Sequence, residues 1–173
     1  MIEIQQVTRK NAADLNIKNE SFEMPGKFIP ELKDGVWSFR TEPFEKVGTD
    51  IFPDENYDFD EINSKGIILG AYEDGKCIGI AICQDYWLKY MYLYDLKVNI
   101  AARGRGVGKA LVAAGMAAAK ERGYIGLYTQ AQDNNLNACM FYLKAGFEIG
   151  GFDNHVYGGT SQAHKADIIF YNK

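Results

Sequence analysis

Residues 92–122 read YLYDLKVNIAARGRGVGKALVAAGMAAAKER, and this stretch decides the fold. Aromatic and apolar residues dominate residues 92–98, a pattern that predicts a β-strand. Apolar residues then recur with the period of one α-helical stripe, at Val107, Leu111, Ala114 and Ala118. Gly123 is placed to end that helix in a left-handed conformation. The stretch is therefore a strand, a glycine-rich turn and a helix.

The turn at residues 103–108 reads RGRGVG. Its glycines allow backbone N–H groups to point outward together, where the helix start adds free donors and the positive dipole end. This arrangement predicts an anion site, most naturally one for phosphate or pyrophosphate. Two common phosphate loops are excluded by spacing: Lys109 breaks G-x-G-x-x-G, and Ala110 after Gly108-Lys109 breaks the P-loop pattern.

A second block, residues 135–147, reads NLNACMFYLKAGF. Its pattern N-x-x-A-x-x-F-Y-x-x-x-G-F, together with R-x-x-G-x-G in the turn, resembles the GNAT superfamily of N-acetyltransferases. The two blocks follow the order of that family, with a predicted strand at 125–130 between them. The resemblance covers residues 92–147, and the first 65 residues carry no motif of the family.

The resemblance implies an α/β fold of the GNAT type, with three α/β/α layers and a mixed, mostly antiparallel central sheet. It also implies one acetyltransferase domain over residues 1–173. Within it we expect a substrate side at 1–65, an acetyl-CoA-binding core at 66–147 and C-terminal strands at 148–173.

Local patterns predict the remaining elements. A strand is expected at 2–7, and a hairpin at 66–86 whose turn contains Asp74-Gly75. The pattern favours a short helix at 11–19, short helical pieces and loops over 24–53, a loop at 50–61 and a loop at 158–165. A final strand pair is predicted at 147–153 and 167–171.

Composition and charge exclude several classes of protein. The chain has 47% hydrophobic residues without a long apolar run or a leader pattern, which favours a cytoplasmic protein without a membrane segment. Three cysteines without C-x-x-C spacing and two distant histidines predict neither a disulfide framework nor a metal site. The net charge of −4 argues against nucleic-acid binding.

The charges are unevenly distributed. Residues 96–122 hold six Lys or Arg against one Glu, whereas residues 20–61 hold twelve Asp or Glu against four Lys or Arg. We expect a protein that binds an anion in the first region and a cation in the second. A solvated acidic face is the alternative for the second region.

The family uses the end of the strand before the turn to pair with the pantetheine arm of acetyl-CoA. The resemblance thus implies acetyl-CoA as co-substrate and no metal. Its contacts would come from Leu96, Lys97, Val98, Arg103, Gly104, Arg105, Gly106, Val107, Gly108, Lys109, Asn135, Asn137 and Tyr142.

Acetyl transfer to an amine requires a proton for the leaving thiolate and a site that takes a proton from the amine. The resemblance implies that Tyr142 is the acid, and a phenol pKa of roughly 10 suits that step. Several relatives carry a glutamate twelve residues before this tyrosine, where this chain has Gln130. Asp95 is the best remaining carboxylate, as base or as partner of the substrate ammonium; a sheet-edge or surface aspartate is the other interpretation.

The Tyr94–Val98 stretch, with Gln132–Asn135 and Ala138-Cys139, resembles the streptothricin N-acetyltransferase branch of the family. That resemblance implies acetylation of a small cationic amine, the β-lysine part of streptothricin, and antibiotic resistance. The acceptor would contact Asp54, Tyr57, Asp58, Asp95 and Gln130. A protein N-terminal or lysine acetyltransferase and a non-catalytic acyl-CoA-binding module remain alternatives, and a homodimer is left open.

Overall fold

The structure is a computed structural model that describes all residues from 1 to 173. It contains nine β-strands, three α-helices and two 3₁₀ helices, the latter at Arg9–Asn16 and Ile100–Ala102. The labelled elements are β1 (Glu3–Gln6), β2 (Phe22–Lys33), β3 (Val36–Asp50), α1 (Phe59–Ser64), β4 (Gly66–Glu73), β5 (Lys76–Gln84), β6 (Tyr90–Val98), α2 (Val107–Glu121), β7 (Gly126–Gln132), α3 (Leu136–Lys144), β8 (Glu148–Asp153) and β9 (Asp167–Asn172).

The chain forms two compact units, each built from separate stretches. The first contains residues 1–20, 52–127 and 173, and the second contains 21–51 and 128–172. The pairs β1–β4, β2–β3, β4–β5, β5–β6 and β8–β9 are all antiparallel. The fold is therefore mixed α/β with mostly antiparallel strands, as predicted. The single domain over residues 1–173 stays a prediction.

In the first unit, four strands lie side by side in the order β1-β4-β5-β6. β4 and β5 are joined by Asp74-Gly75, whose φ angles are +49° and +75°. Two successive positive φ values are what a two-residue type I′ hairpin turn requires. The predicted hairpin and its D-G turn are confirmed.

Helix α2 packs closely on one face of these strands. A Cβ added to Gly115 of α2 would lie 3.1 Å from Sγ of Cys83 on β5. On the opposite face of β5, Ile80 and Ile82 join a buried cluster with Val7, Leu15, Ile62 and Ile68. Since side chains alternate along a strand, β5 contributes to the core on both faces. This burial fixes β6, the neighbour of β5, in place.

The second unit contains a long hairpin, β2–β3, that was not predicted from the sequence. The prediction of short helical pieces and loops over 24–53 is wrong, because β2 and β3 pair antiparallel along most of that range. Asp34 and Gly35 form their turn with φ of +52° and +77°. This is the same D-G signal that identifies the turn at Asp74-Gly75.

The core of the second unit is aromatic. The ring centroid of Tyr142 on α3 lies 5.3 Å from that of Phe147 and 5.5 Å from that of Phe170 on β9. Phe28 of β2 lies 6.2 Å from Phe170. β9 lies between β7 and β8 in the strand order. The hairpin, α3 and the C-terminal strands therefore share one core.

Asp133, just after β7, is almost completely buried and ties three segments together. Its backbone carbonyl accepts a hydrogen bond from the amide of Phe28 at 2.8 Å, and its Oδ1 accepts one from the amide of Ala166 at 3.2 Å. Its Oδ2 lies 3.0 Å from Nζ of Lys27. A buried carboxylate is tolerated when it is paired in this way, so Asp133 has a structural role.

Two smaller predictions differ from the structure. The helix expected at 11–19 is a 3₁₀ helix at Arg9–Asn16. The loop predicted at 50–61 extends too far, because α1 begins at Phe59, after Asp58 accepts a hydrogen bond from the amide of Glu61 at 2.8 Å. Asp58 caps the helix, so this aspartate signals a helix start as well as adding negative charge.

No helix is both long and apolar enough to cross a membrane.

Candidate functional site

The turn after β6 has the geometry that its glycines predict. Gly104 and Gly106 have φ of +74° and +86°, and Gly106 is the N-cap of α2, with its carbonyl accepting from the amide of Ala110 at 3.0 Å. The first turn of α2 contains no acidic residue. The positive end of the helix dipole therefore faces no carboxylate of its own helix, as an anion site requires.

The basic side chains near this turn are used differently from one another. Arg105 forms an ion pair with Glu73 of β4, and this contact holds the pKa of the Glu73 carboxyl below its usual range. Nε of Arg103 donates to the carbonyl of Val98 at 3.0 Å, so that this arginine closes the turn onto the end of β6. Lys109 is exposed on the first turn of α2.

The middle of β6 carries a β-bulge. Ile82 of β5 pairs with Asp95 and Cys83 pairs with Leu93, so Tyr94 is an extra residue on β6. Beyond the bulge, Asp95 and Lys97 are two residues apart and therefore point to the same face of the strand. The strand that leads into the glycine turn thus carries a carboxylate and an ammonium side by side.

Asp95 and Lys97 belong to a cluster with two residues of the 51–58 segment. Nζ of Lys97 forms an ion pair with Oε2 of Glu55 and lies 3.4 Å from Oδ2 of Asp95. The hydroxyl of Tyr57 donates to the same Oδ2 at 3.1 Å. The Lys97 side chain is 8% exposed, that of Asp95 16% and that of Glu55 31%. The interpretation of Asp95 as a surface aspartate is wrong.

Two asparagines hold the 51–58 segment in position. The side chain of Asn16 accepts from the amide of Tyr57 at 2.7 Å and donates to its carbonyl at 3.0 Å. Asn19 donates its side-chain amide to the carbonyl of Pro53 at 2.8 Å and to Oε2 of Glu55 at 2.9 Å. These contacts fix Tyr57 and Glu55 against β6 without any regular secondary structure.

The other predicted acidic contacts have local partners. Asp54 accepts the backbone amide of Asn19 at 2.7 Å, and Asp58 caps α1. Both residues are exposed, outside the cluster of Glu55, Tyr57, Asp95 and Lys97. Direct contact of Asp54 and Asp58 with a cationic ligand stays a prediction.

Burial alters the acid–base properties of the cluster. It raises the pKa of the Asp95 carboxyl, an effect that the nearby Lys97 ammonium opposes and Glu55 increases. Burial, with the negative charges of Asp95 and Glu55, also raises the pKa of the Tyr57 phenol well above its ordinary value. Tyr57 therefore stays a hydrogen-bond donor, while Asp95 is a stronger proton acceptor than an exposed aspartate.

Four of the predicted site residues lie in the second unit. Asn135 is the N-cap of α3, and its Oδ1 accepts from the amide of Ala138 at 3.2 Å. The side chain of Asn137 donates to the carbonyl of Glu23 at 3.4 Å, and Gln130 donates to the hydroxyl of Tyr128 at 2.6 Å. Tyr142 is buried on α3 among Phe141, Phe147 and Phe170.

Sequence reasoning misses four residues of this arrangement. Lys97 is expected to contribute only its backbone, and Glu55, Asn16 and Asn19 are not predicted at all. The alternation Asp95-Leu96-Lys97 on one strand is the only local pattern that points to the ion pair. Neither a group of three metal-ligating side chains nor a disulfide is present, and the three cysteines are free.

The glycine turn and the α3 block both lie in a region that matches a known protein family. The model of the acetyltransferase (GNAT) family matches residues 32–147, a range that includes both. The chain is 33% identical to streptothricin acetyltransferase A of Bacillus subtilis over 171 residues, covering 98% of this chain and 99% of the relative. It is 24% identical to a streptothricin acetyltransferase of Escherichia coli over 98% of this chain and 94% of the relative.

The chain is also similar to a solved structure over nearly its whole length. A Bacillus anthracis protein assigned as a streptothricin acetyltransferase, in complex with acetyl coenzyme A, superposes with a TM-score of 0.84. It is 28% identical, and the match covers 99% of this chain and 98% of that one. With a family match over most of its length and a relative of 33% identity over nearly all of it, the chain belongs to the acetyltransferase (GNAT) family.

Proposed function

We propose that this protein transfers the acetyl group of acetyl-CoA to one primary amine of streptothricin, in the β-lysine part, and thereby inactivates the antibiotic. The observation that carries the proposal is the pair of largely buried carboxylates around Lys97: Asp95 on β6, the strand that leads directly into the glycine turn, and Glu55 of the 51–58 segment. The similarity to streptothricin acetyltransferases along the whole chain supports the same acceptor.

The glycine turn would bind the pyrophosphate of acetyl-CoA. Backbone N–H groups of residues 103–108 and the start of α2 supply donors, and Lys109 adds positive charge. Leu96 to Val98 would pair with the pantetheine arm through their backbone, and one of these N–H groups would polarise the thioester carbonyl. Asn135 and Asn137 are further proposed contacts of the co-substrate.

Replacing Gly106 with alanine should abolish most of the thermal stabilisation by acetyl-CoA. A Cβ there meets no protein atom within 4 Å, so that it would project into the space proposed for the pyrophosphate. Saturating acetyl-CoA at 100 times its Kd stabilises a protein by about 2.7 kcal/mol, which a thermal melt resolves easily. Gly108→Val, at a glycine without a positive φ, should give the same loss.

Gly123→Ala is the matched control for backbone strain. Gly123 has φ of +85°, equally open surroundings and a place at the other end of α2. Both alanine variants should lose roughly 1–2 kcal/mol of stability because a left-handed residue with a Cβ is strained. Of these two alanine variants, only Gly106→Ala should lose the thermal stabilisation by acetyl-CoA. Full stabilisation of both Gly106→Ala and Gly108→Val by acetyl-CoA would refute the assignment of the turn.

The chemistry divides between two residues. The amine nitrogen attacks the thioester carbonyl carbon, the carbon–sulfur bond breaks, and the thiolate takes the phenolic proton of Tyr142. The new amide nitrogen then loses its extra proton, and the Tyr142 phenolate regains one, through water. Asp95 receives the substrate ammonium and accepts its proton, directly or through water. Since Gln130 cannot accept that proton, the raised pKa of Asp95 supports it as the base.

The acceptor amine arrives as a cation, because a primary amine is mostly protonated at neutral pH. Glu55, Asp95 and the Tyr57 ring offer two carboxylates and an aromatic face, where Lys97 Nζ already lies 5.5 Å from the ring centroid. Asp54 and Asp58 would add attraction at longer range. A small cationic substrate fits this chemistry better than an uncharged one. A cytoplasmic location and a homodimer stay predictions.

When the protein is incubated with acetyl-CoA and streptothricin, it should add one acetyl group to the antibiotic. Mass spectrometry of the product, with fragmentation to locate the acetyl group, and assay of released CoA thiol measure this directly. A lysine-rich peptide and spermidine serve as competitors in the same reaction. Acetylation of the peptide or polyamine with streptothricin unchanged would refute this acceptor, and no CoA release with any amine would favour a binding module without catalysis.

A further inference from the structure

Lys97 is the most deeply buried lysine side chain among the ion pairs of this protein, at 8% exposure. Lysine is rarely buried to this degree unless it is paired. Its ammonium contacts Glu55 and lies 3.4 Å from Asp95, and Glu55 is held in turn by the side chain of Asn19 at 2.9 Å. Glu55 therefore anchors the ammonium of Lys97 close to the carboxylate of Asp95.

Fold stability alone does not explain this lysine. The free energy needed to remove buried charges from water offsets much of their attraction, and apolar residues of similar size are often as stable. The cluster also contains two carboxylates for one ammonium, so its formal charge is negative. A cluster of this kind is suited to receive a second cation.

We propose that Lys97 is the positioning residue of the amine site: its ammonium, tethered to Glu55, keeps Asp95 ionised and oriented to receive the substrate amine. This inference rests on the proposed acetyl transfer to a cationic amine and adds to it a role for the Lys97 side chain. The lysine is assigned no contact with the reacting atoms and acts through Asp95.

The groups around Asp95 determine how it responds. Burial alone would favour its neutral form, which can neither attract an ammonium nor accept a proton. Lys97 favours the ionised form by its charge and Tyr57 by its hydrogen bond, whereas Glu55 disfavours it. From β5, the residue that pairs with Asp95 is the uncharged Ile82.

The test is a pair of substitutions with opposite expected effects. Lys97→Met removes the favourable charge, so the titration midpoint of Asp95 should rise by about one pH unit or more. Glu55→Gln removes the unfavourable charge, so the midpoint should fall. Nuclear magnetic resonance of ¹³Cγ-labelled aspartate reads this without substrate, with the Asp95 signal assigned by its loss in Asp95→Asn. The acidic limb of kcat/KM against pH should move in the same two directions.

Two further variants separate charge from structure. Lys97→Arg keeps the positive charge and should leave the acidic limb near its wild-type position, even if kcat falls. Lys65→Met removes an exposed lysine that pairs only with Glu61 of the same unit, and should move neither readout.

A midpoint of Asp95 that stays in place in both Lys97→Met and Glu55→Gln would overturn the proposal. So would a shifted midpoint with an unmoved acidic limb, because Asp95 would then not control the reaction. If the wild-type protein acetylates the peptide or spermidine instead of streptothricin, the proposed acceptor fails on its own. The same pH profiles with that amine then decide the role of Lys97.

Discussion

Tyr142→Phe is expected to lower kcat by roughly 10²–10⁴-fold, the usual contribution of general acid–base catalysis. The substitution keeps the aromatic ring, which packs 5.3 Å from Phe147 and 5.5 Å from Phe170 between ring centroids. It removes only the hydroxyl, so the leaving thiolate loses its proton donor while the core of the second unit is preserved. Release of CoA thiol under saturating substrates measures kcat.

Tyr72→Phe is a suitable control for loss of a tyrosine hydroxyl. That hydroxyl donates to Asp14 at 2.7 Å, accepts from the side-chain amide of Asn11 at 2.5 Å, and lies outside the proposed site. The control should lose roughly 1–3 kcal/mol of stability, as for two hydrogen bonds, and keep its kcat. Both variants should retain the thermal stabilisation by acetyl-CoA. A Tyr142→Phe enzyme with near-normal kcat would mean that water or another group protonates the thiolate.

The part of the fold around the glycine turn could be predicted because its information is local. The helical apolar stripe, Gly123 at its end and the turn glycines each follow from short-range patterns, and the structure has α2 at Val107–Glu121 and φ of +85° at Gly123. The α3 block is similar, with Asn135 as N-cap. Local consistency of this kind makes an element predictable.

The β2–β3 hairpin could not be recognised from apolar periodicity. Most side chains of β3 are exposed, so the alternation that identifies a half-buried strand is missing. Proline is unfavourable inside a sheet, but Pro30 and Pro43 fit here because each strand of a two-stranded sheet has a free edge where proline is tolerated. The D-G pair at Asp34-Gly35 was the one informative local feature.

The candidate site was predictable only in part, for a different reason. Asp95 and Lys97 share a strand face, which their spacing of two indicates. Glu55 reaches Lys97 across 42 positions of sequence, and Asn19 holds Glu55 across 36. No local pattern encodes which loop carboxylate meets a strand lysine, because the tertiary fold decides it.

Asp95→Asn should lower kcat/KM for streptothricin by about 10²-fold or more and leave acetyl-CoA binding unchanged. Asparagine has the same shape, its side-chain oxygen can still accept from the hydroxyl of Tyr57, and Lys97 keeps its ion pair with Glu55. The substitution therefore removes a charge and a proton acceptor without removing the cluster. Steady-state kinetics and thermal melts with acetyl-CoA measure the two effects separately.

Asp60→Asn distinguishes this local effect from overall negative charge. Asp60 lies in the acidic region of residues 20–61, is exposed and pairs with Arg9, and its replacement by Asn changes the net charge by the same amount. Its effect on kcat/KM should be small and should disappear as salt screens long-range attraction, with a Debye length of about 10 Å at 0.1 M. The effect of Asp95→Asn should persist in salt, since Asp95 is proposed to contact the amine directly. Equal, salt-sensitive losses in the two variants would reduce Asp95 to one more charge that attracts the substrate, and the base would have to be sought elsewhere.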